Sequence, residues 1–120
     1  MNIVVVDDIP EYLHSLSRAL DVAGHVETAS TSGEAKAKIN SETSIALLDI
    51  RLSESDPNNR DGILLLQWIR ETFPQIKVIL MSAYRDFDAT VDALNLGAVG
   101  FLRKPINIQE LKLKIRELTR

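Results

Sequence analysis

Five polar side chains in this chain close or follow short apolar runs. Asp7 and Asp8 follow NIVVV, Asp49 follows IALL, Ser82 follows KVILM, and Lys104 follows VGFLR immediately before Pro105. Together they offer three carboxylates, a hydroxyl and an ammonium group. Like charges roughly 4 Å apart repel by about 4 kcal/mol at an effective dielectric near 20, so neighbouring carboxylates need protonation or a cation. Mg²⁺ suits such a set, because it takes oxygen ligands, often one or two carboxylates plus waters, and keeps positions open for phosphate oxygens. Lys104 adds a compact positive charge that neutralises a carboxylate or meets a phosphoryl group, and the Ser82 hydroxyl is a donor to a phosphoryl oxygen. Each residue also has an ordinary role open to it. Asp8 before Pro10 and Ser82 before the fourth helix are placed as caps, and a lone lysine is commonly a solvated surface residue.

What decides between those roles is the framework. Five runs read as strands: 2–6, 25–29, 45–48, 77–81 and 99–102. The first, third and fourth are almost continuously apolar, as expected for parallel strands covered on both faces. The second, HVETA, alternates and reads as an edge or a less buried strand. Helical spacing fills the intervals. Leu13, Leu16 and Leu20 form a stripe that opens near Pro10 and ends before Gly24. A second helix runs from Ser32 through Ala35 and Ile39, with Thr31 or Ser32 as its cap. A third starts at Asp61; a fourth spans about 86–96 before Gly97, with Phe87, Val91 and Leu94 on one face. The last carries Ile108, Leu111, Ile115 and Leu118. Strand and helix thus alternate through the chain, the pattern of a doubly wound α/β domain. Ligands in such sheets gather at the carboxyl ends of the strands. All five polar residues stand there, and that convergence favours a shared site over five separate surface roles.

Composition narrows the functional classes. At 120 residues the chain fits one domain, residues 1–120, large enough to bury a core without staples. Apolar residues make up 45% and charged residues 26%, which disfavours disorder, and the apolar stretches are too short to span a bilayer. The N-terminal MNIVVVDD has no signal-peptide pattern, so the expected location is the cytoplasm and no membrane partner is expected. With no cysteine, disulfides and thiolate metal sites are ruled out. A net charge of −3 with scattered basic residues gives no footprint for direct nucleic-acid binding.

The combination resembles a response-regulator receiver domain of two-component signalling, CheY-like in type. The matching residues are Asp7-Asp8 after VVV, Asp49 after IALL, Ser82-Ala83 after VILM and Lys104-Pro105 after GFLR, and the likeness spans essentially residues 2–118. It implies a flavodoxin-like doubly wound (βα)5 sandwich, a five-stranded parallel sheet of order 2-1-3-4-5 with helices on both faces. It also implies roles. Asp49 is the phosphoryl acceptor. Asp8, Asp49 and the backbone carbonyl of Arg51 ligate Mg²⁺, and Asp7 holds a metal-bound water. Ser82 and Lys104 contact the phosphoryl oxygens, and the Lys104–Pro105 bond is cis. Arg51, Ala83 and Tyr84 line the approach of the hydrolysing water. Ser82 and Phe101 form a switch that alters the face of the fourth helix, fifth strand and fifth helix. For Phe101 the plain alternative is a half-buried strand aromatic. The implied partners are a sensor histidine kinase or histidine phosphotransfer protein, an output domain or effector, and a second copy docked through that face.

Two features depart from the family pattern. Where many members read D-x-x-M-P-x-x-D-G, Leu52 and Ser53 fill the Met and Pro slots, and the Asp-Gly pair arrives late as Asp61-Gly62. The loop after the third strand is therefore lengthened. On the third helix, Ile63, Leu66 and Ile69 share one side with Leu65 at its margin, whereas Leu64 and Trp68 point the other way. The expectation is that the long loop folds over that pair, with an interface as the alternative. Leu113 likewise lies opposite the stripe of the fifth helix.

Three other readings compete. A Mg²⁺-dependent phosphatase or phosphotransferase of the haloacid-dehalogenase type needs a nucleophile and an acid separated by one residue, but Asp7 and Asp8 are adjacent. Flavodoxin-like cofactor binding needs a phosphate cradle after the first strand, where the acidic DDIPE repels phosphate. An unphosphorylated interaction module with the same fold is the third reading. It is disfavoured because every matching site residue is present.

Overall fold

The computed structural model describes residues 1–53, 56, 58–83 and 87–119. Elements alternate in the order β1 (Asn2–Val6), α1 (Pro10–Leu20), β2 (His25–Ala29), α2 (Ser32–Lys38), β3 (Ile45–Asp49), α3 (Asp61–Thr72), β4 (Lys77–Ser82), α4 (Phe87–Asn95), β5 (Gly100–Arg103) and α5 (Ile108–Leu118). All strands pair in parallel, in the order β2-β1-β3-β4-β5. Of the two readings open for the alternating strand β2, an edge or a less buried strand, the sheet order makes it an edge.

The continuous apolar runs are explained by two cores, one on each face of the sheet. Val4, Val6, Ala46, Leu48, Val78 and Leu80 face Ala35 of α2, Ile63, Leu66 and Ile69 of α3, and Ala93 of α4. The alternate residues Ile3, Val5, Ile45, Leu47, Ile79 and Met81 face Leu16 and Leu20 of α1 and Leu111 and Ile115 of α5. Period-two alternation therefore sends the apolar side chains of the central strands alternately into one core and the other.

Caps set the helix limits. Thr31 Oγ1 accepts from the Glu34 amide, and Asn107 Oδ1 accepts from the Glu110 amide, starting α2 and α5. Gly97 ends α4 at φ 105°, a left-handed conformation that a side chain would oppose. No helix among the described residues is long and apolar enough to cross a membrane.

Two sequence expectations change here. The face of α4 that carries Val91 and Leu94 is the outward one: they are 40% and 38% exposed, whereas Thr90 and Ala93 are buried. Short side chains turned inward let this helix lie close to the sheet, and the aliphatic residues are displaced to solvent. Asp86 lies outside the described residues. The outward pair of α3 is not buried together as expected. Leu64 remains 59% exposed, while Trp68 is half-buried edge-on to Phe73, with Lys36 of α2 over its ring. Among the described residues its ring contacts are Phe73, just past the end of α3, and Lys36 of α2. Leu65, placed at the stripe's margin by its spacing, is fully buried.

Candidate functional site

Parallel register brings the strand ends level. Asp49 closes β3 opposite Met81, and the Ile50 amide continues the ladder to the Met81 carbonyl at 3.0 Å. Ser82 ends β4 opposite Arg103, and the Lys104 amide donates to the Ser82 carbonyl at 2.8 Å. Asp7 follows β1, its amide donating to the Ala29 carbonyl of the neighbouring strand at 3.1 Å. Each functional side chain is thus mounted on backbone held by sheet hydrogen bonds.

At this edge the ammonium of Lys104 lies 2.9 Å from Asp7 Oδ2 and 3.2 Å from Asp49 Oδ2. Its side chain is 8% exposed, and both carboxylates are more deeply buried. The Lys104–Pro105 bond is cis. Tyr12, in the first turn of α1, places its ring 4.5 Å from the same ammonium, a cation–π contact. Carboxylate oxygens of Asp7, Asp8 and Asp49 all lie within 4.8 Å of one another. Asp8 is half-exposed, whereas Asp7 is sealed from solvent.

The capping roles open to Asp8 and Ser82 are not what the structure displays. α1 has Ile9 at its N-cap and no side-chain cap, while Asp7 Oδ1 accepts from the Ile9 amide at 2.9 Å. Ser82 sits within β4, buried, several residues before α4.

Burial dominates the electrostatics of Asp7, pushing its carboxyl above the ordinary carboxylate range despite the Ile9 amide and the Lys104 ammonium, which pull the other way. For Lys104, burial by itself disfavours the charge, but Asp49 and Asp7 outweigh it and raise the pKa above 10.5. The lysine is thus held charged between two buried carboxylates, an excess of negative charge that a divalent cation would balance. An all-oxygen donor set at this spacing fits Mg²⁺.

The remaining expected site residues divide. Ala83 follows β4 directly and offers only a methyl group. Tyr84 lies outside the described residues. Phe101 is on β5, 40% exposed, so its ring faces outward. Two participants were not foreseen in their observed form. Arg51, expected to contribute its backbone carbonyl, also has its side chain almost entirely buried. Tyr12 joins the lysine through its ring, and the only sequence signal for it is an aromatic residue in the first turn after Pro10.

Comparison with known proteins agrees with this fold. The family model described as the response regulator receiver domain matches residues 3–116. The DNA-binding transcriptional regulator NtrC of Salmonella typhimurium is 38% identical over 107 residues, covering 88% of this chain and 22% of that protein. The transcriptional regulatory protein ZraR of Klebsiella oxytoca is 34% identical over 119 residues, covering 98% of this chain and 26% of ZraR. The chain therefore spans about a quarter of the length of these curated relatives. Among solved structures, a CheY-like receiver domain protein of Methanospirillum hungatei superposes with a TM-score of 0.85 at 35% identity, covering 97% of this chain and 90% of that one. The receiver domain of NtrX from Brucella abortus gives 0.84 at 30% identity, with 97% and 96% coverage.

Proposed function

The chain belongs to the response-regulator receiver domain family, and from that premise we propose that Asp49 is its phosphoryl acceptor in a two-component phosphorelay. The observation that carries the proposal is Lys104, an ammonium shared between the Asp7 and Asp49 carboxylates at the carboxyl end of the sheet. In this reading residues 1–120 act as one receiver unit in the cytoplasm, as a signalling domain rather than an enzyme with a turnover substrate.

One oxygen of Asp49 attacks the phosphorus of a phosphohistidine on a histidine kinase or phosphotransfer protein, or of a small phosphodonor. The new O–P bond forms as the P–N bond breaks, and the electron pair leaves with the imidazole, which takes up a proton. Asp8, Asp49 and the Arg51 carbonyl would hold Mg²⁺, with Asp7 on one of its waters, and the ion would supply neutralisation of charge on the phosphoryl oxygens. Lys104 gives up part of its contact with Asp49 and pairs with a phosphoryl oxygen. Ser82 donates its hydroxyl to another. Hydrolysis returns the carboxylate when water attacks in line, and the small Ala83 leaves that approach open, with Arg51 as another lining residue.

The acyl phosphate then shifts the surface formed by α4, β5 and α5. Ser82 is drawn toward the phosphoryl group and Phe101 turns inward, and an output domain, an effector or a second copy reads the change. The phosphoryl group biases this equilibrium by its differential interaction with the two arrangements.

The test is incubation with Mg²⁺ and phosphoramidate, followed by intact mass. One phosphoryl adduct is expected on the wild type and none on Asp49→Asn. An adduct forming on Asp49→Asn at the wild-type rate overturns the assignment.

A further inference from the structure

The lengthened loop after β3 has an internal architecture that places it next to the proposed metal ligands. Among its described residues, the Asp56 amide donates to the Ser53 carbonyl at 3.1 Å, the Asn59 amide to the Asp56 carbonyl at 3.1 Å, and the Asn58 amide to Asp56 Oδ1 at 2.9 Å. Asn59 then bridges the loop's two limbs. Its Oδ1 accepts from the Leu52 amide at 2.9 Å and from the Asp61 amide at 3.1 Å. A carboxamide oxygen has two lone pairs, so one atom serves both donors.

A second rung lies directly below, where the Gly62 amide donates to the Ile50 carbonyl at 3.0 Å. The backbones approach so closely there that a Cβ on Gly62 would stand 2.6 Å from the Ile50 oxygen and would overlap the Asp49 carbonyl. Leu52, whose amide Asn59 holds, is buried in the core on the α3 side of the sheet. Arg51 lies between the two rungs, bounded by Ile50 on one side and Leu52 on the other.

We propose that Asn59 is a positioning residue for the metal site, its carboxamide oxygen closing the neck of the lengthened loop and thereby fixing the Arg51 carbonyl toward the Asp8 and Asp49 carboxylates. The inference rests on the reading of Arg51 as a metal ligand given above. A loop lengthened beside a ligand gives that ligand more conformations to lose on binding, and the clip removes them before the ion arrives. Groups that orient metal ligands typically carry a 10- to 100-fold share of affinity.

The experiment is isothermal titration of the whole chain with Mg²⁺, without phosphodonor, alongside thermal melts in metal-free buffer. Asn59→Ala is expected to weaken Mg²⁺ binding about 10-fold. Asn59→Asp retains an acceptor oxygen and is expected to stay within about twofold of the wild type. If alanine yields no folded protein, Asn59→Ser, whose hydroxyl is too short to serve both amides, is expected to show the same loss. An Mg²⁺ affinity unchanged in a folded Asn59→Ala or Asn59→Ser, with only the melting temperature lowered, makes Asn59 merely structural and overturns the inference alone. Equal losses in the alanine and aspartate variants overturn it as well. Failure of the wild type to bind Mg²⁺ overturns the metal reading itself, and this inference with it.

Discussion

At the carboxyl end of the sheet, Asp7, Asp49 and Ser82 are buried and Lys104 nearly so. On the surface carried by α4, β5 and α5, Val91, Leu94, Phe101 and Leu113 are instead exposed. The first region keeps charge out of water, which costs free energy even when the charges are paired. The second keeps hydrocarbon in water, forgoing burial worth about 25 cal/mol per Å². Neither arrangement helps this chain fold, and under the proposed function each region serves a different event. Buried charge is preorganised for a charged group entering from outside, and exposed hydrocarbon is suited to a protein surface.

The contrast breaks most visibly if Lys104 is dispensable. Lys104→Met is expected to slow phosphorylation by phosphoramidate about 100-fold at saturating Mg²⁺, the usual scale for losing one preorganised charge partner. A rate within about threefold of wild type would make the buried pair a structural relic.

A smaller effect tests whether burial of charge is costly here. Because the folded state raises the Asp7 pKa, its ionised form is disfavoured on folding, and stability falls as pH rises from the ordinary value of 3.8 through the raised folded value. Asp7→Asn should therefore unfold at higher urea than wild type near neutral pH without Mg²⁺. The gain should be about 1 kcal/mol, the low end of what desolvating a polar group costs in proteins. The advantage should shrink as pH falls toward 3.8 and also when Mg²⁺ is added to the wild type. A stability gain independent of pH would point to packing rather than charge.

The mildest change concerns the apolar surface. Leu94→Ser and Leu113→Ser are expected to leave stability within about 0.5 kcal/mol and phosphoryl incorporation unchanged. Sedimentation of the phosphorylated protein would show less self-association or partner binding than wild type. A large loss of stability would instead return these residues to the core.

The sequence was most informative where one physical rule acts alone. The alternation of β2 pointed to an edge or a less buried strand, and β2 is one of the two edges; continuous apolar runs marked the central strands as buried on both faces, because a covered parallel strand has no polar side. Asp7, Asp8, Asp49, Ser82 and Lys104 were legible as one site because parallel register puts all strand ends at the same edge. Helix phase was less legible. The residues sharing a face of α4 follow from 3.6-residue geometry, but spacing cannot say which face turns inward. Thr90 and Ala93 took the sheet because small side chains permit close approach.

By itself, then, the sequence determined the order of elements, the doubly wound class and the identity of the convergent polar residues, since each follows from local periodicity or from position along a strand. Tertiary structure alone decided that Tyr12 reaches Lys104, that the Arg51 side chain is buried, that Trp68 is sheltered by Phe73 and Lys36, and that Asn59 ties Leu52 to Asp61. Those contacts depend on how elements rotate and approach one another. That outcome is set by side-chain volumes summed over two cores and is written in no single stretch of the chain.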